Sequence, residues 1–149
     1  MSDAMSDYLE GEIIDHLFRA GTFAKPSAIY VGLIRYYEAD KVESLTGTTI
    51  ATAKELGAGA HTAAGYARMA VTQNDDNWSA ATTGGATSNS SDITFPTSTS
   101  DWGHISGVFI ADHLTAGNLL LHGSLTVPRD VKSGDIFKFN AGDLDISFT

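Results

Sequence analysis

The sequence contains no cysteine. Disulfides therefore add nothing to its stability, and any zinc site built on thiolates is excluded. Basic residues are scarce: 9 Lys and Arg stand against 18 Asp and Glu, for a formal charge of −9. That balance leaves no electrostatic footprint for nucleic acid, whose binding rests on neutralising phosphates. It favours solubility at high copy number and leaves contact with a basic patch on a partner open. Long apolar runs are missing too, and none approaches the roughly 18 residues that a membrane span needs. The N-terminal MSDAMSDYLEGE is acidic and polar, the reverse of a basic region followed by an apolar one, so no targeting signal is expected. Without a secretory signal, the acceptor patterns at Asn77-Trp78-Ser79 and Asn89-Ser90-Ser91 are read as chance matches.

What is present is 149 residues with 42% hydrophobic content, enough for one domain over 1–149 with a single core. Residues 6–20 form the one convincing helix. Ser6 or Asp7 can cap it, with Glu10 completing an approximate capping box, and Gly21 supplies the stop. Leu9, Ile13 and Leu17, widened by Ile14 and Phe18, make an apolar stripe expected to lie on a sheet, with a partner-binding helix as the alternative. Pro26 ends the link, and Ser27 to Arg35 is a strand with apolar groups on both faces, which predicts a central position.

Residues 38–65 open with charges and turn to Thr, Ala and Gly. The composition predicts an extended loop or arm that contacts a partner, and removing Glu38 to Ala64 is expected to leave the domain folded. Residues 66–149 carry the main β strands. The stretch from Ser88 to Asp112 organises them: Ile93 and Phe95 alternate up to Pro96, Asp101-Trp102-Gly103 turns, and His104 to Ala111 alternates again. Within it Ile105, Gly107, Phe109 and Ala111 are expected on one face and His104, Ser106, Val108 and Ile110 on the other, with Gly107 marking a bulge or close approach. Phe95 and Trp102 are read as packing anchors. Leu119 to Val127, Ile136 to Phe139 and Leu144 to Phe148 follow, separated by Gly-containing turns. Short strands at this spacing predict a mainly β fold, an antiparallel β-sandwich or flattened barrel, with one N-terminal amphipathic α-helix packed on it.

No catalytic constellation emerges. His104 and His113 lie near Asp101 and Asp112, and a hairpin could bring His104 toward His122. Such spacing is looser than metal sites show, and rim histidines are the better reading. A Gly-x-Ser-x-Gly elbow is missing, and Gly57-Ala58-Gly59 and Thr83-Gly84-Gly85 lack the Lys-Ser/Thr of a phosphate loop. No enzyme, cofactor or metal is expected. Tyr36, Tyr37 and Trp78 are the candidate partner or glycan contacts, as aromatic platforms in or beside loops.

Tyr66-Ala67-Arg68, Ile93-Thr94-Phe95-Pro96, Asp101-Trp102-Gly103 and Leu119 to Gly123 occur in an order that resembles a family of small tailed-bacteriophage structural proteins, often labelled tail fibre. The resemblance spans nearly the whole chain except 38–61. It implies a non-catalytic virion component made in the host cytoplasm, with other virion proteins as partners. A capsid decoration protein on the major capsid protein comes first, and a tail- or fibre-associated component or receptor-binding module second. By analogy with decoration proteins it further implies a homo-oligomer, with trimers as the guess.

Overall fold

The computed structural model describes residues 2–148. Its elements are β1 (Ser2–Met5), α1 (Asp7–Phe18), β2 (Ile29–Ile34), a 3-10 turn (Ala39–Lys41), α2 (Thr49–Ala53), β3 (Met69–Val71), β4 (Ala86–Ser88), β5 (Ile93–Thr94), β6 (Gly103–Ala111), β7 (Leu119–Val131), β8 (Lys138–Phe139) and β9 (Asp145–Ser147). Five strands form one antiparallel sheet in the order β1-β7-β6-β2-β3, and β4-β9 and β5-β8 make two small two-stranded sheets. Among the described residues the large sheet stays open, so the mainly β, antiparallel expectation is met without a barrel. The strand read as central, β2, lies between β6 and β3 and is buried from Val31 to Ile34.

The two faces of the large sheet are covered differently. Val31, Leu33, Val108, Ile110 and Leu121 pack with Ile93, Phe95, Phe137, Phe139, Leu144 and Ile146 of the small-sheet region, giving the sandwich its main core. Phe95 and Trp102 are buried anchors there, as expected. Tyr66 meets Trp102 edge-on at 5.7 Å and stacks on Phe95 at 6.1 Å, and Phe95 meets Phe137 edge-on at 5.8 Å. Such offset and edge contacts suit the ring quadrupoles. The opposite face carries Ile34, Phe109, Ala111 and Leu119, covered by Val42 and Ile50.

The face assignment of β6 differs from strict alternation. Ile105 packs with Val108 and Ile110 rather than with Phe109 and Ala111. The cause is a register shift between Ile105 and Gly107: Ile105 pairs with Arg129, but Gly107 pairs with Ser124. Two steps along β6 there match five along β7, and an odd offset changes the parity of a period-2 pattern, so the residues before it swap face. Gly107 is indispensable there, because a Cβ would lie 2.6 Å from the Cβ of Tyr37.

The 38–65 segment is not an extended arm. Val42, Ile50 and Leu56 are buried, and Leu56 N–H donates to the Leu33 carbonyl at 2.8 Å. A buried ion pair fastens the segment. Arg68, 4% exposed, donates from Nε to Glu55 Oε1 at 3.0 Å and from Nη2 to Oε2 at 2.7 Å. Its remaining donors reach the carbonyls of Gly47 at 2.6 Å and His113 at 2.8 Å, and its guanidinium lies 5.0 Å from the Phe109 ring centre. Tyr66 Oη donates to Glu55 Oε1 at 2.8 Å and accepts from Leu33 N–H at 3.0 Å. Burial, with the Glu55 charge adding to it, holds the Tyr66 phenol well above its ordinary pKa. Deleting Glu38 to Ala64 would therefore strip part of the core and leave Arg68 buried without its counter-charge, so the domain would not survive it.

Helix α1 starts at Ser6, whose hydroxyl accepts from Leu9 N–H at 3.2 Å and donates to the Leu119 carbonyl. The cap thereby ties the helix to β7 as well as closing its first turn. The helix ends at Phe18 with Arg19 as C-cap, before Gly21 is reached, and Gly21 is not left-handed. Leu9 and Ile13 pack into the main core. Ile14, Leu17 and Phe18 do not: they are exposed, Phe18 by 81%. The stripe expected on the sheet is therefore split between two faces of the helix.

Candidate interaction surface

The three aromatic residues singled out from sequence do not share a surface. At the end of β2 the chain turns through Arg35, Tyr36 and Tyr37, and Tyr36 holds φ at 51°. A bulky side chain rarely takes this left-handed conformation, which sets neighbouring side chains pointing apart. Tyr37 turns inward. Its N–H donates to Ser106 Oγ at 2.7 Å, its hydroxyl lies 2.9 Å from His122 Nδ1, and its ring packs with the second core cluster. Tyr36 turns outward and is 59% exposed. Trp78 is half-buried against the main core and bridges to Asn89, in a different part of the fold.

Tyr36 does have companions that sequence spacing did not bring together. Its ring stacks on His104 with centroids 5.5 Å apart and planes 25° from parallel. The Arg35 guanidinium carbon lies 5.2 Å from the same ring centre. His104 Nδ1 is 3.0 Å from Asp130 Oδ1, its directly opposed residue on β7, which fixes the imidazole against Tyr36. Only the strand register could reveal this set, because Tyr36, His104 and Asp130 are far apart in the chain.

The other histidines are dispersed. His122 pairs with Phe109 while His104 pairs with Asp130, so the two lie at different levels of the β6–β7 ladder. His122 is fully buried, and that burial pulls its pKa below the usual value, against the opposing pull of the Glu43 charge, the Met5 carbonyl and the Asp7 charge. His113 sits in the β6–β7 turn, where its Nδ1 accepts from Ala116 N–H at 3.0 Å. Among the described residues no group of three or more His, Asp or Glu side chains is placed to hold a metal ion.

A second surface is the outward side of α1. Ile14, Leu17 and Phe18 are exposed there, on a helix that also carries Asp7, Glu10, Glu12 and Asp15. The signal was in the sequence: with Leu9 and Ile13 on one line, Ile14 and Phe18 form a separate i, i+4 pair on another side of the helix.

No curated protein matches this chain. A family model does, over residues 4–147, and it describes podophage GP4 fiber I protein gp80. The match takes in the helix, the strands from β2 to β9, the end of β1 and both surfaces, and it locates the protein in the virion. The chain belongs to the podophage GP4 fiber I protein gp80 family of phage virion structural proteins.

Proposed function

We propose that this protein is a non-enzymatic, fibre-associated subunit of the phage particle that docks onto another virion protein through the outward side of α1. The observation that carries the docking is the exposure of Ile14, Leu17 and Phe18 together on a helix otherwise anchored by Ser6, Leu9 and Ile13. Three large apolar side chains exposed on one side of a helix are the arrangement that helix-in-groove recognition uses. The acidic residues of α1 call for a groove with an apolar floor and a basic rim on the partner.

The family's description names a fibre, which favours a tail position over the head shell. Decoration of the major capsid protein is the second reading, supported by the compact body and the charge of −9. Particles assembled with Leu17→Ser/Phe18→Ser protein test the docking. The variant should fold like the parent, because both side chains are already in water, yet be lost from purified virions. Incorporation at the parental level would refute the helix as the attachment site. The copy number in parental virions separates the two positions: a number set by tail symmetry assigns the fibre, and one set by the capsid lattice assigns the shell.

A further inference from the structure

We propose that Arg35, Tyr36 and His104 form a binding site for an anionic saccharide, with the acid group on the Arg35 guanidinium and the sugar ring against Tyr36. The first observation is an unmet donor. Arg35 Nε is buried, and among the described residues nothing accepts a hydrogen bond from it. A buried guanidinium donor without an acceptor is costly, and an absent ion or ligand is a standing explanation for one in a native fold. Arg35 is also without an ion-pair partner among the described residues, in a chain with twice as many acidic as basic side chains.

The second observation is how the backbone keeps the site open. Gly103, left-handed at φ 78°, borders the guanidinium: a Cβ there would sit 3.6 Å from Nη2 and 3.7 Å from Nε. A Cβ at 103 would lie in van der Waals contact with the guanidinium, and the glycine leaves that space free. On the other side Tyr36 adopts its own left-handed conformation, so two left-handed residues flank one cation. The 59% exposure of Tyr36 is then the strained conformer's product, since that conformer presents the ring to solvent. His104, fixed by Asp130, backs the ring and stops it from folding away.

The chemistry selects the ligand. A forked guanidinium recognises a carboxylate or phosphate, and an exposed aromatic ring accepts the apolar C–H face of a pyranose. A polyanion such as nucleic acid is disfavoured by the overall charge of −9, whereas a single acid group meets only the local field of Arg35. This site is independent of the α1 surface and of whether the protein occupies tail or shell.

The test is a titration of the full chain with galacturonate, galactose and inorganic phosphate, followed by NMR of the Tyr36 and His104 rings. Galacturonate should shift both rings and saturate at a roughly millimolar Kd, as expected for a monosaccharide. Galactose and phosphate should each bind at least about tenfold more weakly, since each offers half of the contacts. Arg35→Gln should weaken galacturonate by about tenfold or more. Tyr36→Gly relieves the left-handed conformation, so it should fold at least as well as the parent and still lose the saccharide. Absence of galacturonate binding, or equal binding by Arg35→Gln, would overturn the site. Phosphate binding as tightly as galacturonate would overturn its assignment to a saccharide.

Discussion

Glu55→Ala is the sharpest test of how this fold is held. In the parent, Glu55 and Arg68 are 6% and 4% exposed, and three short N–H···O contacts of 2.7–3.2 Å join them. Removing the carboxylate leaves a buried guanidinium without its counter-charge, a loss of about 3–5 kcal/mol in comparable buried pairs. Tyr66 also loses the acceptor for its hydroxyl, which adds about 1 kcal/mol. The Gly47 and His113 carbonyls and the Phe109 ring still hold Arg68, which favours the lower end, about 4 kcal/mol in total. For a chain of this length that corresponds to a Tm lower by about 8–16 °C. Urea unfolding followed by tryptophan fluorescence measures it directly, with Trp102 reporting from the core. Glu55→Gln should fall between the two, since an amide keeps one acceptor but carries no charge. A loss under about 1 kcal/mol for Glu55→Ala would refute the reasoning. It would mean that water reaches Arg68 and that the 38–65 segment is not fastened as described.

Acid should destabilise the protein in two stages. His122 has a depressed pKa in the folded state, so its contribution is intact above about pH 6.5 and is lost as pH falls below that. His122→Asn should flatten urea midpoints between about pH 6.5 and 5, provided the amide keeps the Tyr37 hydroxyl bonded. Asp92, Asp101 and Asp143 are also held below the ordinary aspartate value, by hydrogen bonds from Lys138, from Ser133 N–H and from Asn140 N–H respectively, so a further loss should begin below about pH 4. Asn89→Ala should cost about 2–4 kcal/mol by thermal unfolding, because its buried amide serves the Ser91 and Asn140 carbonyls and Leu144 N–H, all at 2.8 Å. Gly107→Val should lower yield of folded protein sharply, since a Cβ there collides with the Cβ of Tyr37, and Tyr37→Gly combined with it, which removes that atom, should restore part of the yield.

The sequence by itself determined the fold class and most strand positions. Alternating apolar residues punctuated by Gly, Asn and Asp encode local geometry, and β2, β6, β7 and α1 all lie where that pattern placed them. It also marked Phe95 and Trp102 as anchors and Gly107 as an irregularity, because large rings and an intrastrand glycine each have few structural uses. It did not show which way β6 faces before that irregularity, since an odd register offset inverts the parity of everything preceding it. Composition misread residues 38–65 as an arm: Val42, Ile50 and Leu56 are too widely spaced to form a stripe, and only the tertiary structure makes them core, Val42 and Ile50 on one side of the sheet and Leu56 in the main core. The tertiary structure alone decided which aromatic side chains meet water. Tyr36 and Tyr37 are neighbours of identical chemistry, and a left-handed turn sends one to His104 and Arg35 at the surface and the other to buried His122. A backbone conformation rare for tyrosine is not written in residue type, because it is imposed by the strands on either side of it.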